Sequence, residues 1–127
     1  MSRIRVRVVD LGGDKVSEVI AQAIGMDAGC SPTGNCPLWV FRRVGTVYEP
    51  ILASQGQSFQ ILRNPGRKEA EFLVGLHMSA DEKTLLIYRM STGKYREVAC
   101  YDAVFLLPET GDAKRKLRVT PCGDAVR

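Results

Sequence analysis

Residues 38–52 read LWVFRRVGTVYEPIL, and residues 85–99 read LLIYRMSTGKYREVA. Laid over each other at an offset of 47 residues, they share Leu38/Leu85, Arg42/Arg89 and Tyr48/Tyr95. Val40/Ile87, Phe41/Tyr88 and Ile51/Val98 are close matches. A strand–turn–strand unit used twice constrains the chain to a β scaffold and implies no chemistry. Repeats of about 40–50 residues are also the size of propeller blades, but repeat folds need about three units to bury a core. Two units favour a single meandering sheet, and a propeller-like assembly would require other chains. The turn glycines fall out of step, Gly45 over Thr92 and Gly93 over Thr46, which predicts turns that differ by one register.

Residues 3–9 alternate Arg3, Arg5 and Arg7 with Ile4, Val6 and Val8, the period of a half-buried strand with its arginines in solvent. Leu11-Gly12-Gly13 then turns the chain. Asp14 is placed as an N-cap, and Val16, Val19, Ile20, Ala23 and Ile24 follow helical spacing, which predicts a helix over 14–24 closed by Gly25. Residues 26–37 are a loop rich in Gly, Pro, Ser and Asn. Pro50 in the return strand of the first hairpin points to an edge position or a bulge. Strands are expected at 58–62, 70–77 and 117–120, the last short. The expected fold is therefore α+β: one N-terminal strand and helix packed on a curled, mostly antiparallel sheet of about six strands. At 127 residues the chain is one domain, 1–127, with 108–127 a loosely packed tail.

Both hairpins carry apolar residues on both faces: Leu38 and Val40 against Trp39 and Phe41, Leu85 and Ile87 against Leu86 and Tyr88. One helix does not cover both faces of such a sheet. Either the sheet curls on itself or a second chain covers one side, which favours a homodimer.

The charged fraction, 25%, is that of an ordinary globular chain, and no run approaches the roughly 18 apolar residues of a membrane span. The start, MSRIRVRVVDLGG, lacks the continuous apolar stretch of a signal peptide, so the chain is cytosolic unless an export signal has been removed. The net charge of +4 resides in Lys114, Arg115, Lys116 and Arg118; the other 14 basic residues balance the 14 acidic ones. That run reads as a solvated loop or strand edge. Its sharper reading is a nucleic-acid contact, joined by Arg3, Arg5 and Arg7. The four cysteines fit two disulfides in an oxidising compartment, Cys30–Cys36 across the turn-rich SPTGN and Cys100–Cys122 tying the C-terminal segment to the second hairpin. Four reduced thiols are the alternative. The spacing lacks the close pairs of a structural zinc site, and neither a metal nor a cofactor is expected.

From Cys30 onward the chain resembles a group of uncharacterised small bacterial proteins, commonly exported. The resemblance rests on TGNCPLWVF (Thr33–Phe41), GQSF (Gly56–Phe59), VGLHMSADE (Val74–Glu82), the LLIYR…GKYR hairpin (Leu85–Arg96) and ACY (Ala99–Tyr101). It covers roughly residues 5–105, and the segment after Leu107 has no counterpart in the group. It implies export and a cysteine bridge, not a reaction.

Candidates for chemistry are few. His77, the one histidine, lies beside Ser79, Asp81 and Glu82 at a strand end. Groups so close in sequence do not readily adopt triad geometry, so a hydrolase built on His77 is the weakest reading. Gly12-Gly13 before a helix could meet a phosphate, but the pattern lacks a nucleotide-binding fingerprint and Asp14 opposes an anion. Trp39, Phe41, Tyr48, Tyr88, Tyr95 and Tyr101 recur at hairpin positions, where aromatics serve cross-strand packing or, when exposed, a recognition surface; Trp39, Tyr48, Tyr88 and Tyr95, with His77, are the candidate binding residues. The expectation is a non-catalytic binding module, exported and disulfide-stabilised, that recognises a protein or small ligand.

Overall fold

The computed structural model describes residues 3–106 and 116–123. The strands are β1 (Arg3–Val9), β2 (Glu18–Ile24), β3 (Cys36–Val44), β4 (Val47–Gly56), β5 (Ser58–Leu62), β6 (Glu71–Ser79), β7 (Glu82–Ser91), β8 (Lys94–Leu106) and β9 (Lys116–Pro121). They form two antiparallel sheets, the first ordered β1-β2-β3-β4 and the second β5-β6-β7-β8-β9. Within the described residues the only helical piece is a single 3-10 turn, Met26–Ala28.

This overturns the α+β expectation. The segment expected as a helix over 14–24 is a loop followed by β2, a central strand between β1 and β3. Its Ile20 faces one side, and Val19 and Ala21 face the other. A strand that is apolar on both faces has no period of its own, so helical spacing fits it by accident. The β-branched Val19, Ile20 and Ile24 favour extended backbone. Asp14 caps no helix; its carboxylate accepts the Val16 N–H at 3.0 Å. Gly25, at φ 113°, begins the 3-10 turn.

With no helix to cover them, the sheets cover each other. Ile20, Leu38, Val40 and Leu52 on the inner face of the first sheet meet Phe72, Val74, Leu86 and Tyr95 on the inner face of the second. Each such aliphatic side chain contributes about 1.5–3 kcal/mol by leaving water. The sheets approach most closely at Gly56. A Cβ there would lie 2.5 Å from Val74 Cγ1, so only glycine lets β4 end against β6. The next N–H, that of Gln57, donates to Gly75 O at 2.7 Å. Farther along, the Ser54 and Tyr88 hydroxyls pair at 2.9 Å, and Ala70 N–H donates to Leu11 O at 2.8 Å.

The two hairpins are the same object. Leu38↔Ser54, Val40↔Leu52 and Phe41↔Pro50 in β3–β4 recur 47 positions later as Leu85↔Tyr101, Ile87↔Ala99 and Tyr88↔Glu97. Both carry a bulge at the same step, so Ile51 and Val98 are the extra residues. Pro50 lies beside that bulge on an edge strand, where its missing N–H costs no ladder bond. The expected slip between the turns does not occur. Val44↔Val47 and Ser91↔Lys94 close two-residue loops in step. The glycines differ because the turns differ: φ is positive at Gly45 in the first, and at both Thr92 and Gly93 in the second.

The duplication extends beyond the hairpins. Val6↔Ala21, Val8↔Val19 and Val9↔Glu18 in β1–β2 recur 53 positions later as Phe59↔Val74, Ile61↔Phe72 and Leu62↔Glu71. Val19↔Phe41 between β2 and β3 corresponds to Phe72↔Tyr88 between β6 and β7. The chain is thus two four-stranded meanders, with β9 added at the edge of the second. The change of offset from 53 to 47 falls in one connection, which spans 12 positions from Ile24 to Cys36 but 6 from His77 to Lys83. The longer connection holds the 3-10 turn and the first disulfide.

The four cysteines form two disulfides, Cys30–Cys36 and Cys100–Cys122. The first closes the extra loop on the start of β3, and the second fastens the end of β9 to β8. Lys116–Pro121 is therefore a paired strand, while Lys114, Arg115 and the rest of the expected tail before it lie outside the described residues.

Candidate functional site

Pairing register assigns every strand residue to a face, and the two meanders then show opposite surroundings at equivalent positions. On the outer face of the first sheet, Val8, Val19 and Phe41 lie in one cross-strand row, and Val6, Ala21 and Trp39 in the next. Tyr48, opposite Arg43, continues the face. Among the described residues this face lies outside the shared core: Val6, Val8 and Tyr48 are 58%, 63% and 52% exposed, and Val19, Ala21, Trp39 and Phe41 between them are half-buried. The 53- and 47-residue offsets carry these seven positions onto Ile61, Phe72, Tyr88, Phe59, Val74, Leu86 and Tyr95 of the second sheet. There the same face is the inner one and packs in the core, with Tyr95 only 6% exposed.

The converse holds for the other face. Ile20, Leu38, Val40, Ile51 and Leu52 are buried on the inner face of the first sheet. Their counterparts Leu73, Leu85, Ile87, Val98 and Ala99 form the outer face of the second, where Val98 is 48% exposed. A hollow of about 300 Å³ opens on this face at Gly75, lined by Ser58, Phe59, Gln60, Leu73 and Leu85. Among the described residues, two sheet faces that are apolar at their centres thus lie outside the core shared by the sheets. Contiguous apolar patches of this kind mark interaction surfaces.

The five candidate binding residues do not converge. Trp39 and Tyr48 share the outer face of the first sheet. Tyr88 and Tyr95 are on the inner face of the second, with the Tyr88 hydroxyl on Ser54 and the Tyr95 hydroxyl donating to Ala70 O at 2.8 Å. His77 lies near the end of β6, where its backbone N–H and C=O are both held by the Asn35 side chain at 2.8 Å. Val6, Val8, Val19 and Ala21, which with Phe41 complete the face carrying Trp39, were not candidates from sequence. The available signal was the two-sided apolar pattern of the hairpins.

Charged groups sit around these faces. Arg3, Arg5 and Arg7 are exposed on β1, an edge strand of the first sheet; Lys116 and Arg118 are exposed on β9, an edge strand of the second. Arg63, Arg67 and Lys68 line another hollow of about 300 Å³ beside the β5–β6 loop, where Arg63 donates to Asp10 O at 2.9 Å. The Gly12-Gly13 turn precedes no helix. The N–H groups of Leu11 and Gly12 point at the buried Glu18 carboxylate, at 2.8 and 3.2 Å, so the chain's own anion fills that place. The equivalent Glu71 pairs with Arg89.

Two groups have shifted acidities. Burial, aided by the nearby Glu69 and Glu18 charges, pushes the Tyr95 hydroxyl far above its ordinary value. Partial desolvation raises the Asp10 carboxyl, but N–H donation from Lys15, Gly13 and Asp14 outweighs it and holds the group below the usual carboxylate value. Among the described residues, no group of three or more His, Cys, Asp or Glu side chains could hold a metal ion. No described helix is long and apolar enough to cross a membrane. No family model matches the sequence, and comparison with curated proteins and with solved structures gave no match.

Proposed function

We propose that this chain is a disulfide-stabilised recognition module of an oxidising compartment, and that it binds another protein through the outer face of the first sheet. The observation that carries the reading is the uncovered face bearing Trp39, Phe41 and Tyr48 with Val6 and Val8. Aromatic residues at the centre of an apolar patch, with charges at its margin, have the composition of a protein interface rather than of a reaction site. Two disulfides in one small domain fit export, as does the resemblance to exported bacterial proteins.

In the producing cell, a photo-crosslinking amino acid at position 41 or 48 will give a protein adduct identifiable by mass spectrometry. The same group at exposed Gln55, at the other end of β4, will give little. Equal yields at all three positions, or no protein adduct at 41 and 48, would remove the reading.

A further inference from the structure

We propose that the protein recognised is a second copy of this chain, bound head to tail, with the outer face of the first sheet in one copy seated on the outer face of the second sheet in the next. This rests on the reading above and names its partner. The template is inside the molecule. The face that carries Trp39, Phe41 and Tyr48 in the first sheet is, in the second, the face that carries Leu86, Tyr88 and Tyr95. That face is buried because the first sheet presents Ile20, Val40, Ile51 and Leu52 to it. The second sheet presents Leu73, Ile87, Val98 and Ala99 at the equivalent positions, outward and uncovered. Each chain therefore ends in the two halves of a contact that it already makes once internally.

The details that differ do so in compensating pairs. Inside the chain, Gly56 is required because Val74 stands against it. The counterparts in the proposed contact are Ala103 and Ala21: one side gains a methyl group and the other loses two. Trp39 is larger than its counterpart Leu86, and the receiving face has Gly75, with its hollow of about 300 Å³, where the internal one has Gln22. Arg43 stands where Met90 does, at the hairpin end, which leaves the patch apolar at its centre and charged at its rim. Because the two surfaces are different, the contact is heterologous. It repeats from copy to copy and closes into a ring when the rotation per copy allows.

Light scattering with size exclusion tests this on the oxidised chain at high micromolar concentration. The expected mass is a multiple of 14.0 kDa. Tyr48→Asp and Val98→Asp, both at positions exposed within one chain, will each reduce it to 14.0 kDa with an unchanged far-ultraviolet circular dichroism spectrum. Mixing these two variants will give a 1:1 pair and nothing larger, since each keeps one intact face. A wild-type mass of 14.0 kDa overturns the proposal, as does a mixture that stays monomeric or variants that keep the wild-type mass. A monomeric chain whose position-41 crosslinker captures a different protein overturns the self-association while leaving protein recognition standing; absence of any protein adduct removes both.

Discussion

Tyr48 and Tyr95 occupy the same place in two hairpins that share strand pairing, bulge position and loop length, yet one is half in water and the other is sealed in the core. What differs is what lies over them. The second sheet has its aromatic face covered by the first; the first has its own aromatic face open. The comparison teaches that burial here belongs to the stacking of sheets, not to the strand sequence. Both meanders are built to be covered on two sides, and the chain supplies cover for one side of each. A monomer with such faces carries the apolar surface that protein interfaces use.

The largest test of this contrast compares Phe72 with its counterpart Val19. Phe72 is buried, with the Tyr95 ring edge-on at 5.0 Å and the Phe59 ring at 6.3 Å. Phe72→Ala should cost about 3–5 kcal/mol of unfolding free energy, and Val19→Ala less than about 1 kcal/mol. Urea denaturation in a Tyr48→Asp background measures both with self-association removed. Equal costs at the two sites would mean that the first sheet's outer face is as buried as the second's inner one, and the comparison would fail.

The disulfides distinguish the two meanders at the next level. Cys100–Cys122 closes a separation of 22 residues and holds β9 to the second sheet, whereas Cys30–Cys36 closes 6 within the connection peculiar to the first. Loop-closure entropy assigns about 3 kcal/mol to the longer bridge and about 2 kcal/mol to the shorter. Replacing each pair by alanine and repeating the denaturation gives both values. A larger loss from the Cys30/Cys36 pair would place the stability of the first meander in its extra loop rather than in its pairing. Intact mass before and after thiol alkylation, on protein made under oxidising conditions, should find no alkylatable cysteine.

The hairpins were legible because short-range rules govern them: shared residues at Leu38/Leu85 and Arg42/Arg89, turn glycines, and Pro50 at an edge bulge. The first half of each meander was not. Between residues 3–24 and 56–77 only Gly13/Gly66, Lys15/Lys68 and Glu18/Glu71 are identical, and the offset itself shifts by six residues between the halves. The misreading of β2 as a helix has the same origin as the open face. Val19 and Ala21 are apolar on a side that the single chain leaves uncovered, so they supplied a helical spacing where a strand with one wet face would have alternated. The two-sided apolar pattern called for cover on both faces, but it did not show that each sheet covers one side of the other. Only the register of both sheets together gives that.

The finest contrast is a single hydroxyl. Tyr95 donates to Ala70 O inside the protein, and Tyr48 lies on the open face. Tyr95→Phe leaves the buried Ala70 carbonyl without that donor and should cost about 1 kcal/mol, while Tyr48→Phe should be near neutral. The pH dependence sharpens this. Burial, with the Glu69 and Glu18 charges, raises the Tyr95 pKa in the folded chain. The unfolded chain releases that proton near pH 10, about the ordinary tyrosine value. Above that pH the unfolded state binds fewer protons than the folded one, so this contribution is complete below about pH 10 and declines as the pH rises further. Urea midpoints measured on either side of pH 10 should therefore fall more steeply in the wild-type chain than in Tyr95→Phe. Parallel slopes would show that Tyr95 ionises freely in the folded protein, and that the cover which sets it apart from Tyr48 is looser than its packing implies.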